Sequence, residues 1–388
     1  MSVCKRHVHS KDRKHLRPNI QIHMEEKGCS REEVLALLAG YRSRDVPHSR
    51  IFSSMCTVPH EIAVAAHALF VSTNLGDPGL YPGTAEIERQ LIADLGDLLH
   101  GTGIGGYATS GGTESNIQAI RIAKKLHPTE KPNIVVPASA HFSFDKTRDI
   151  LGVETRAAPY KEGSYTVDTD AMAELIDKNT VAVLAVAGTT EYGVVDDVPA
   201  AAKLARENDI WCHVDAAFGG LVIPFLKNPA PFDFAVDGVS SITLDPHKMG
   251  MSTIPCGTLL LRNPEHMKLL SVDSPYLTMK TSFTLTGTRP GADVAGAYAV
   301  MKYLGREGFR DIVAGCLENT RRLVSGMEAF GYKTVLPPVM NLAAFHPAEI
   351  PEGWKVSRTR AGHLRFVMMP HVTRDVVEAF LEDVSRLQ

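Results

Sequence analysis

Short apolar segments recur along the middle of the chain at intervals that leave room for a helix between them, and this spacing limits the possible architectures more than any other feature. Residues 133–137 and 181–187 are β-branched or apolar almost throughout and are bounded by turn residues, the pattern of strands buried on both faces. Further runs follow at 210–214, 240–244 and 258–261. Strands alternating with helix-length stretches predict an α/β fold on a mostly parallel sheet with crossover helices. Such sheets bind ligands beyond the carboxyl ends of their strands, so the residues just after each run are the ones to search for chemistry.

The run at 240–244 leads into Asp245-Pro246-His247-Lys248-Met249-Gly250. Desolvation at the end of a buried strand disfavours an ammonium and frees the Lys248 amine as a nucleophile or Schiff-base former. A His-Lys pair alone is more often a solvated loop. The run at 210–214, however, ends in Asp215-Ala216-Ala217-Phe218-Gly219-Gly220. An acid there can keep a pyridinium nitrogen protonated, and Ala217 leaves room for a flat ring. A lysine and an acid at strand ends in one cleft are the two electronic handles that pyridoxal 5'-phosphate (PLP) needs. Upstream, residues 101–116 form a glycine-rich stretch before a helical run at 117–126. Free N–H groups and the positive end of a helix dipole make Ser110, Gly111, Gly112 and Thr113 an anion cradle. The stretch matches neither the dinucleotide fingerprint nor the P-loop. His141 follows the run at 133–137, where an imidazole could lie on a ring face, although a lone histidine is more often incidental.

Together the motifs SGGTESN (Ser110 to Asn116), AHFSFDK (Ala140 to Lys146), HVDAAFGG and DPHKMG resemble the PLP-dependent group II amino-acid decarboxylases of the aspartate-aminotransferase fold type. TNLGDPGLYPGT, HVDAAFGGLVIPF, SITLDPHKMG, YLGREG and LRFVMMPH are most similar to the archaeal L-tyrosine/L-aspartate decarboxylases, from about Met24 to the C-terminus. The resemblance implies PLP on Lys248, polarised by Asp215, stacked by His141 and oriented by His247, with Thr189 reaching the ring or the substrate carboxylate. It implies that Asn74, in the Gly/Pro-rich loop 74–83, lines the substrate cleft. It further implies a homodimer with shared active sites, in which Thr286 and Gly287 approach the phosphate of the neighbouring subunit. Tyr276, in a loop expected over the site, is a candidate proton donor and equally a packing residue. Arg365 in LRFVMMPH alternates with apolar neighbours, and its planar fork suits a substrate carboxylate. The register near Arg358 and Arg360 stays open.

A length of 388 residues suits one large domain and a smaller one. The expected division is a basic arm (1–23), a helical segment (24–72) opened by a capping box at Ser30 to Glu33, a PLP-binding domain (73–291) and a small C-terminal α+β domain (292–388). Helices are expected over 59–72 and 84–99, and from 295 to 328 with an interruption at 305–308. The C-terminal part reads as strands at 333–345 and 364–368 and a helix at 376–387. The net charge is −3, and the body of the chain offers no clustered positive field for nucleic acid or an anionic membrane. Six cysteines lack any CxxC pair, so neither a disulfide framework nor a metal site is indicated. No apolar run nears the roughly 20 residues that cross a bilayer and no signal peptide is visible, which fits a cytoplasmic protein.

The resemblance implies decarboxylation of L-tyrosine to tyramine (methanofuran biosynthesis) or of L-aspartate to β-alanine (coenzyme A biosynthesis). An aldol-type lyase of the sphingosine-phosphate lyase kind and an aminotransferase share the same cofactor handles. A cysteine desulfurase is disfavoured because Cys316 falls in a helix. A non-catalytic PLP-binding protein is the non-enzyme alternative.

Overall fold

Apolar runs too short for helices pair edge to edge into a seven-stranded sheet in the computed structural model of the chain, which describes residues 26–387. The basic arm expected over 1–23 lies outside the described residues. Three helices precede the sheet, α1 (Arg31–Arg42), α2 (Glu61–Phe70) and α3 (Pro82–Leu98). α1 starts at the expected capping box: Ser30 Oγ accepts from the Glu33 N–H at 3.2 Å, and the Glu33 carboxylate accepts from the Ser30 N–H at 2.9 Å. The chain divides between Val46 and Pro47 into two units, the first holding α1 and the second everything from α2 onward.

The sheet comprises β1 (Gly105–Thr109), β2 (Asn133–Pro137), β3 (Glu154–Ala158), β4 (Thr180–Val186), β5 (Trp211–Asp215), β6 (Ser241–Leu244) and β7 (Gly257–Leu261). Their order is β1-β7-β6-β5-β4-β2-β3. Neighbours from β3 to β6 are parallel, and β7 runs antiparallel to β6 and β1. The crossovers are α4 (Gly112–Leu126), α5 (Ser143–Leu151), α6 (Thr169–Glu174) and α7 (Val198–Glu207). Residues alternate between two cores: Val183, Ala185, Val214 and Leu260 pack in one, Ile134, Val136, Leu184 and Leu259 in the other, the period of two that a strand imposes. Burial on both faces is why these strands read as continuous apolar runs.

Two strands depart from the sequence reading. β1 lies inside the stretch expected to be a glycine-rich turn, and α4 begins at Gly112 rather than at 117. Glycine ordinarily weakens a strand, but at Gly106 (φ 143°) a Cβ would stand 2.1 Å from the Leu259 carbonyl oxygen. Its absence is what lets β1 close on β7. β3 is a sheet edge with Glu154 and Ala157 exposed, so it lacks the apolar run that marked its neighbours.

Beyond the sheet, β8 (Val272–Asp273) and β9 (Thr281–Ser282) pair as a hairpin, and α8 (Gly291–Ala329) follows, interrupted at Gly305. β10 (Leu342–Phe345), β11 (Ser357–Arg358) and β12 (Leu364–Val367) form a small antiparallel sheet, and α9 (Arg374–Ser385) ends the fold. The strand expected over 333–345 is confined to its last four residues, because Pro337 and Pro338 cannot donate to a ladder. Phe52, Trp354, Phe366 and Phe380 fill this layer in mutual ring contact.

His213, on β5, is wholly buried. Its Nδ1 lies 2.7 Å from Ser241 Oγ and its Nε2 3.0 Å from Asn116 Oδ1. Burial lowers its pKa from the usual 6.5 to about 4, with Asp215 opposing. Above pH 6.5 the ring is neutral in folded and unfolded chains alike. Between 6.5 and about 4 the unfolded chain binds a proton that the folded chain refuses, so stability is lost as the pH is lowered, by up to about 1.4 kcal/mol per unit. His213→Gln should flatten this part of the pH profile of the thermal midpoint; an unchanged slope would contradict the assignment. Leu184→Ala, which empties a site of 0 % exposure, should cost about 2–5 kcal/mol, read as a lower unfolding midpoint.

Candidate active site

The carboxyl ends of β4, β5 and β6 and the N-terminus of α4 border one cavity of about 280 Å³. Of the residues singled out from sequence, Ser110, Gly111, Gly112, Thr113, His141, Asp215, Ala217, His247 and Lys248 all line it. The segments that carry them span more than 130 positions of chain, and the crossovers bring them to one edge of the sheet.

Asp215 ends β5 with 6 % exposure. Asn116 Nδ2 donates to its Oδ2 at 2.9 Å and the Ala217 N–H donates to its Oδ1 at 3.1 Å. Both donors are neutral, so they orient the carboxylate without supplying a counter-charge. Asn116 is held in turn, its Oδ1 accepting from the Thr243 hydroxyl at 2.8 Å and its Nδ2 donating to Ser143 Oγ at 3.0 Å. Sequence reasoning missed Asn116 although it lay inside SGGTESN.

Lys248, expected to be desolvated at the end of a buried strand, has a charged neighbour. Its Nζ lies 3.1 Å from Asp245 Oδ2, a carboxylate one turn back that was quoted in the motif but given no role. Asp245 is 2 % exposed, and its Oδ1 is buried with no hydrogen-bond partner among the described residues. This oxygen is turned toward Gly257, where a Cβ would fall 2.7 Å from it, while Oδ2 meets Lys248. His247 Nδ1 lies 2.6 Å from the Cys256 carbonyl oxygen and 3.1 Å from the Cys256 nitrogen, which pins the ring, and burial lowers its pKa. His141 accepts from the Ser143 N–H at Nδ1 (3.2 Å), and burial lowers its pKa as well. Both imidazoles are thereby biased to the neutral form.

The anion end is built differently from the sequence expectation. Ser110 lines the cavity, yet its N–H and its hydroxyl both donate to Glu114 Oε2, at 2.9 and 2.8 Å. The donors left are the N–H groups of Gly112 and Thr113 in the first turn of α4, which have no intrahelical partners, at the positive end of the helix. Gly111 (φ 140°) approaches His247 so closely that a Cβ would stand 3.3 Å from its Cε1. A helix N-terminus for a phosphate, an acid for a ring nitrogen, an amine for an aldehyde and an imidazole at a ring face thus surround one space, and the residues present fit PLP.

Six predicted site residues lie outside this cavity. Thr189 is wholly buried and its Oγ1 accepts from the Val194 N–H; the adjacent Thr190 lines the cavity instead. Asn74 is a backbone staple, its Oδ1 accepting from the N–H groups of Gly76 (2.7 Å) and Arg289 (3.0 Å). Gly287 lies against the loop 74–83 of its own chain, where a Cβ on Gly76 would fall 2.0 Å from the Gly287 carbonyl oxygen, and the Thr286 carbonyl accepts from the Thr284 hydroxyl at 2.8 Å. Tyr276 sits between β8 and β9, 85 % exposed. Arg365 is buried, with Nη1 donating to the Ser53 carbonyl (3.0 Å) and Ser357 Oγ (2.9 Å) and Nε donating to the Thr190 carbonyl. No carboxylate lies within ion-pair distance of it among the described residues, and burial lowers its pKa to about 10.

Comparison with known proteins agrees with this geometry. Residues 44–345 match the family described as pyridoxal-dependent decarboxylase conserved domain. A protein of Methanocorpusculum labreanum named "Probable L-tyrosine/L-aspartate decarboxylase" is 69 % identical over 94 % of this chain and 100 % of its own length. One of Archaeoglobus fulgidus named "Probable L-aspartate decarboxylase" is 51 % identical over 92 % of this chain and 99 % of its own. Among solved structures, the sphingosine-1-phosphate lyase of Burkholderia pseudomallei superposes with a TM-score of 0.86 at 26 % identity, covering 94 % of this chain and 92 % of that one. The fold is that of the PLP-dependent decarboxylases and lyases, and the chain belongs to the pyridoxal-dependent decarboxylase family.

Proposed function

We propose that this enzyme removes the α-carboxylate of L-tyrosine, giving tyramine, or of L-aspartate, giving β-alanine. The observation that carries the reading is the meeting of Lys248, Asp215 and His141 in one cavity at the N-terminus of α4. The choice of substrates rests on the relatives named for them. Tyramine would serve methanofuran biosynthesis and β-alanine coenzyme A biosynthesis. The lyase and non-catalytic readings are not favoured, since the 69 % and 51 % identical relatives are named as decarboxylases.

Bound PLP supplies an electron sink for the charge left at Cα when carbon dioxide departs. The chain supplies position and electrostatics. Lys248 would hold the cofactor through its aldehyde, with Asp245 3.1 Å from its Nζ as the counter-charge. Asp215, fixed by Asn116 and the Ala217 N–H, holds the proton of the ring nitrogen. The first turn of α4 takes the phosphate, and His141 and Ala217 bound the ring. Arg365 holds the Thr190 carbonyl at the edge of the cavity, and the substrate role expected of it from sequence requires that it exchange this contact for the substrate carboxylate.

The active unit is a homodimer, in which Tyr276 and the segment around Thr286 and Gly287 complete the neighbour's cavity. Support comes from the exposed apolar side chains of α1, Val34, Leu35, Leu37 and Leu38, and from the exposure of Tyr276. No helix among the described residues is long and apolar enough to cross a membrane, and the proposed site of action is the cytoplasm. A fully active monomer in solution would refute the shared site.

The first test is to offer L-tyrosine and L-aspartate separately to the PLP-loaded protein and follow carbon dioxide and the amine. Tyramine or β-alanine is expected with carbon dioxide; no carbon dioxide from either would overturn the reading. Lys248→Ala should lose the visible absorbance of bound cofactor and the turnover together, and retained turnover would contradict its role.

A further inference from the structure

The register near Arg360, left open by sequence, resolves into a contact that reaches the cavity from the small sheet. Arg360 lies at the tip of the β11 to β12 hairpin. Its Nη1 donates to the Ala138 carbonyl oxygen at 2.6 Å and its Nη2 to the Ala140 carbonyl oxygen at 3.2 Å. These two carbonyls flank Ser139 in the turn after β2, and the next residue is His141, which lines the cavity. The same arginine engages the turn after β4: its backbone N–H donates to Glu191 Oε2 at 2.9 Å and its Nε lies 3.4 Å from Glu191 Oε1. Glu191 follows Thr190, which also lines the cavity and whose carbonyl accepts from Arg365.

We infer that Arg360 is a positioning residue that sets the His141 imidazole against the cofactor ring by clasping the backbone of the 138–140 turn and tying it to Glu191. This rests on the proposed role of His141. Backbone hydrogen bonds from the Ala138 N–H to Ala158 (2.8 Å) and from the Ala140 N–H to Pro137 (2.9 Å) shape the turn, and two features leave the placing of the ring to the clasp. Within its own segment the His141 ring is held by one hydrogen bond, that from Ser143 N–H to Nδ1. The turn itself carries a buried hydroxyl, Ser139 Oγ, with no partner among the described residues, so its backbone is not fixed from that side chain. A guanidinium presents donors in a rigid fork, which fixes the orientation of two carbonyls at once; a lysine ammonium presents a point charge on a flexible stem. Arg360 acts from the surface, with 57 % of its side chain exposed, so it can be replaced without opening the core.

The test is a double-mutant cycle on the PLP-loaded protein with Arg360→Met, His141→Ala and both together, read by the visible circular dichroism of the bound cofactor and by kcat and KM. Arg360→Met should weaken the dichroism and lower kcat about tenfold or more with little change in KM, the loss of one positioning contact to a catalytic group being of that order. Arg360→Lys should restore part of both signals. In the His141→Ala background the Arg360→Met change should add little, because residues acting through one contact are not additive. Dichroism and kcat within twofold of the parent in Arg360→Met, or effects that simply add in the double variant, would overturn the inference. If His141→Ala alone leaves the dichroism unaltered, the role of His141 fails first and the inference falls with it. The dichroism decides the matter even if neither L-tyrosine nor L-aspartate is a substrate.

Discussion

What the cavity can do depends on a carboxylate held almost out of water with no ion pair among the described residues. Asp215 is oriented by an amide and a backbone N–H, neutral groups that satisfy its oxygens without neutralising it. Removing an acid from water costs several kcal/mol unless charge is returned to it, and in the proposed reading the ring nitrogen of the cofactor returns it. Asn116 can serve because α4 packs across the carboxyl ends of β5 and β6, so that one side chain meets Asp215, Thr243 and His213 at once. The same helix aims its first turn at the cavity. One element therefore supplies the anion site and the support for the acid, and moving it would disturb both ends of a bound cofactor together.

Much of this was legible in the chain. The buried strands β2, β4, β5, β6 and β7 announced themselves as apolar runs, and the motifs at their ends named Lys248, Asp215 and His141. Local grammar failed where meaning depends on distant neighbours. The amide of Asn116 matters because it reaches Asp215, 99 positions away. Thr189 and Thr190 are adjacent in the turn after β4, where Thr189 caps the Val194 N–H and Thr190 lines the cavity, and a motif cannot tell which of two neighbouring hydroxyl residues a turn presents. Glycines at 105 and 106 read as a turn because a strand tolerates them only when a neighbour crowds close, which no local pattern records.

Arg289 illustrates a feature with no signature in the motifs. Its guanidinium meets Glu88 and the carbonyls of Ala108 (3.0 Å) and Leu75 (3.0 Å), joining α3, the strand that leads to the anion cradle, and the loop 74–83. The segment expected to serve a neighbouring subunit is thereby moored to its own chain, and any reach toward a partner starts from that anchored base. Arg365 and Arg360 act likewise from the small sheet, so three arginines far along the chain bind backbone carbonyls of earlier turns.

These moorings have a kinetic consequence. Arg289 to Glu88 spans 201 positions, Arg365 to Thr190 spans 175 and Arg360 to Ala138 spans 222. Contacts of such sequence separation form only after large loops close, and topologies dominated by them fold slowly. During synthesis the strands that carry Asp215 and Lys248 leave the ribosome well before the C-terminal hairpin that fastens the rim around them. A cofactor that binds only the finished site favours the folded state by mass action; it holds the completed rim closed without hastening its first closure.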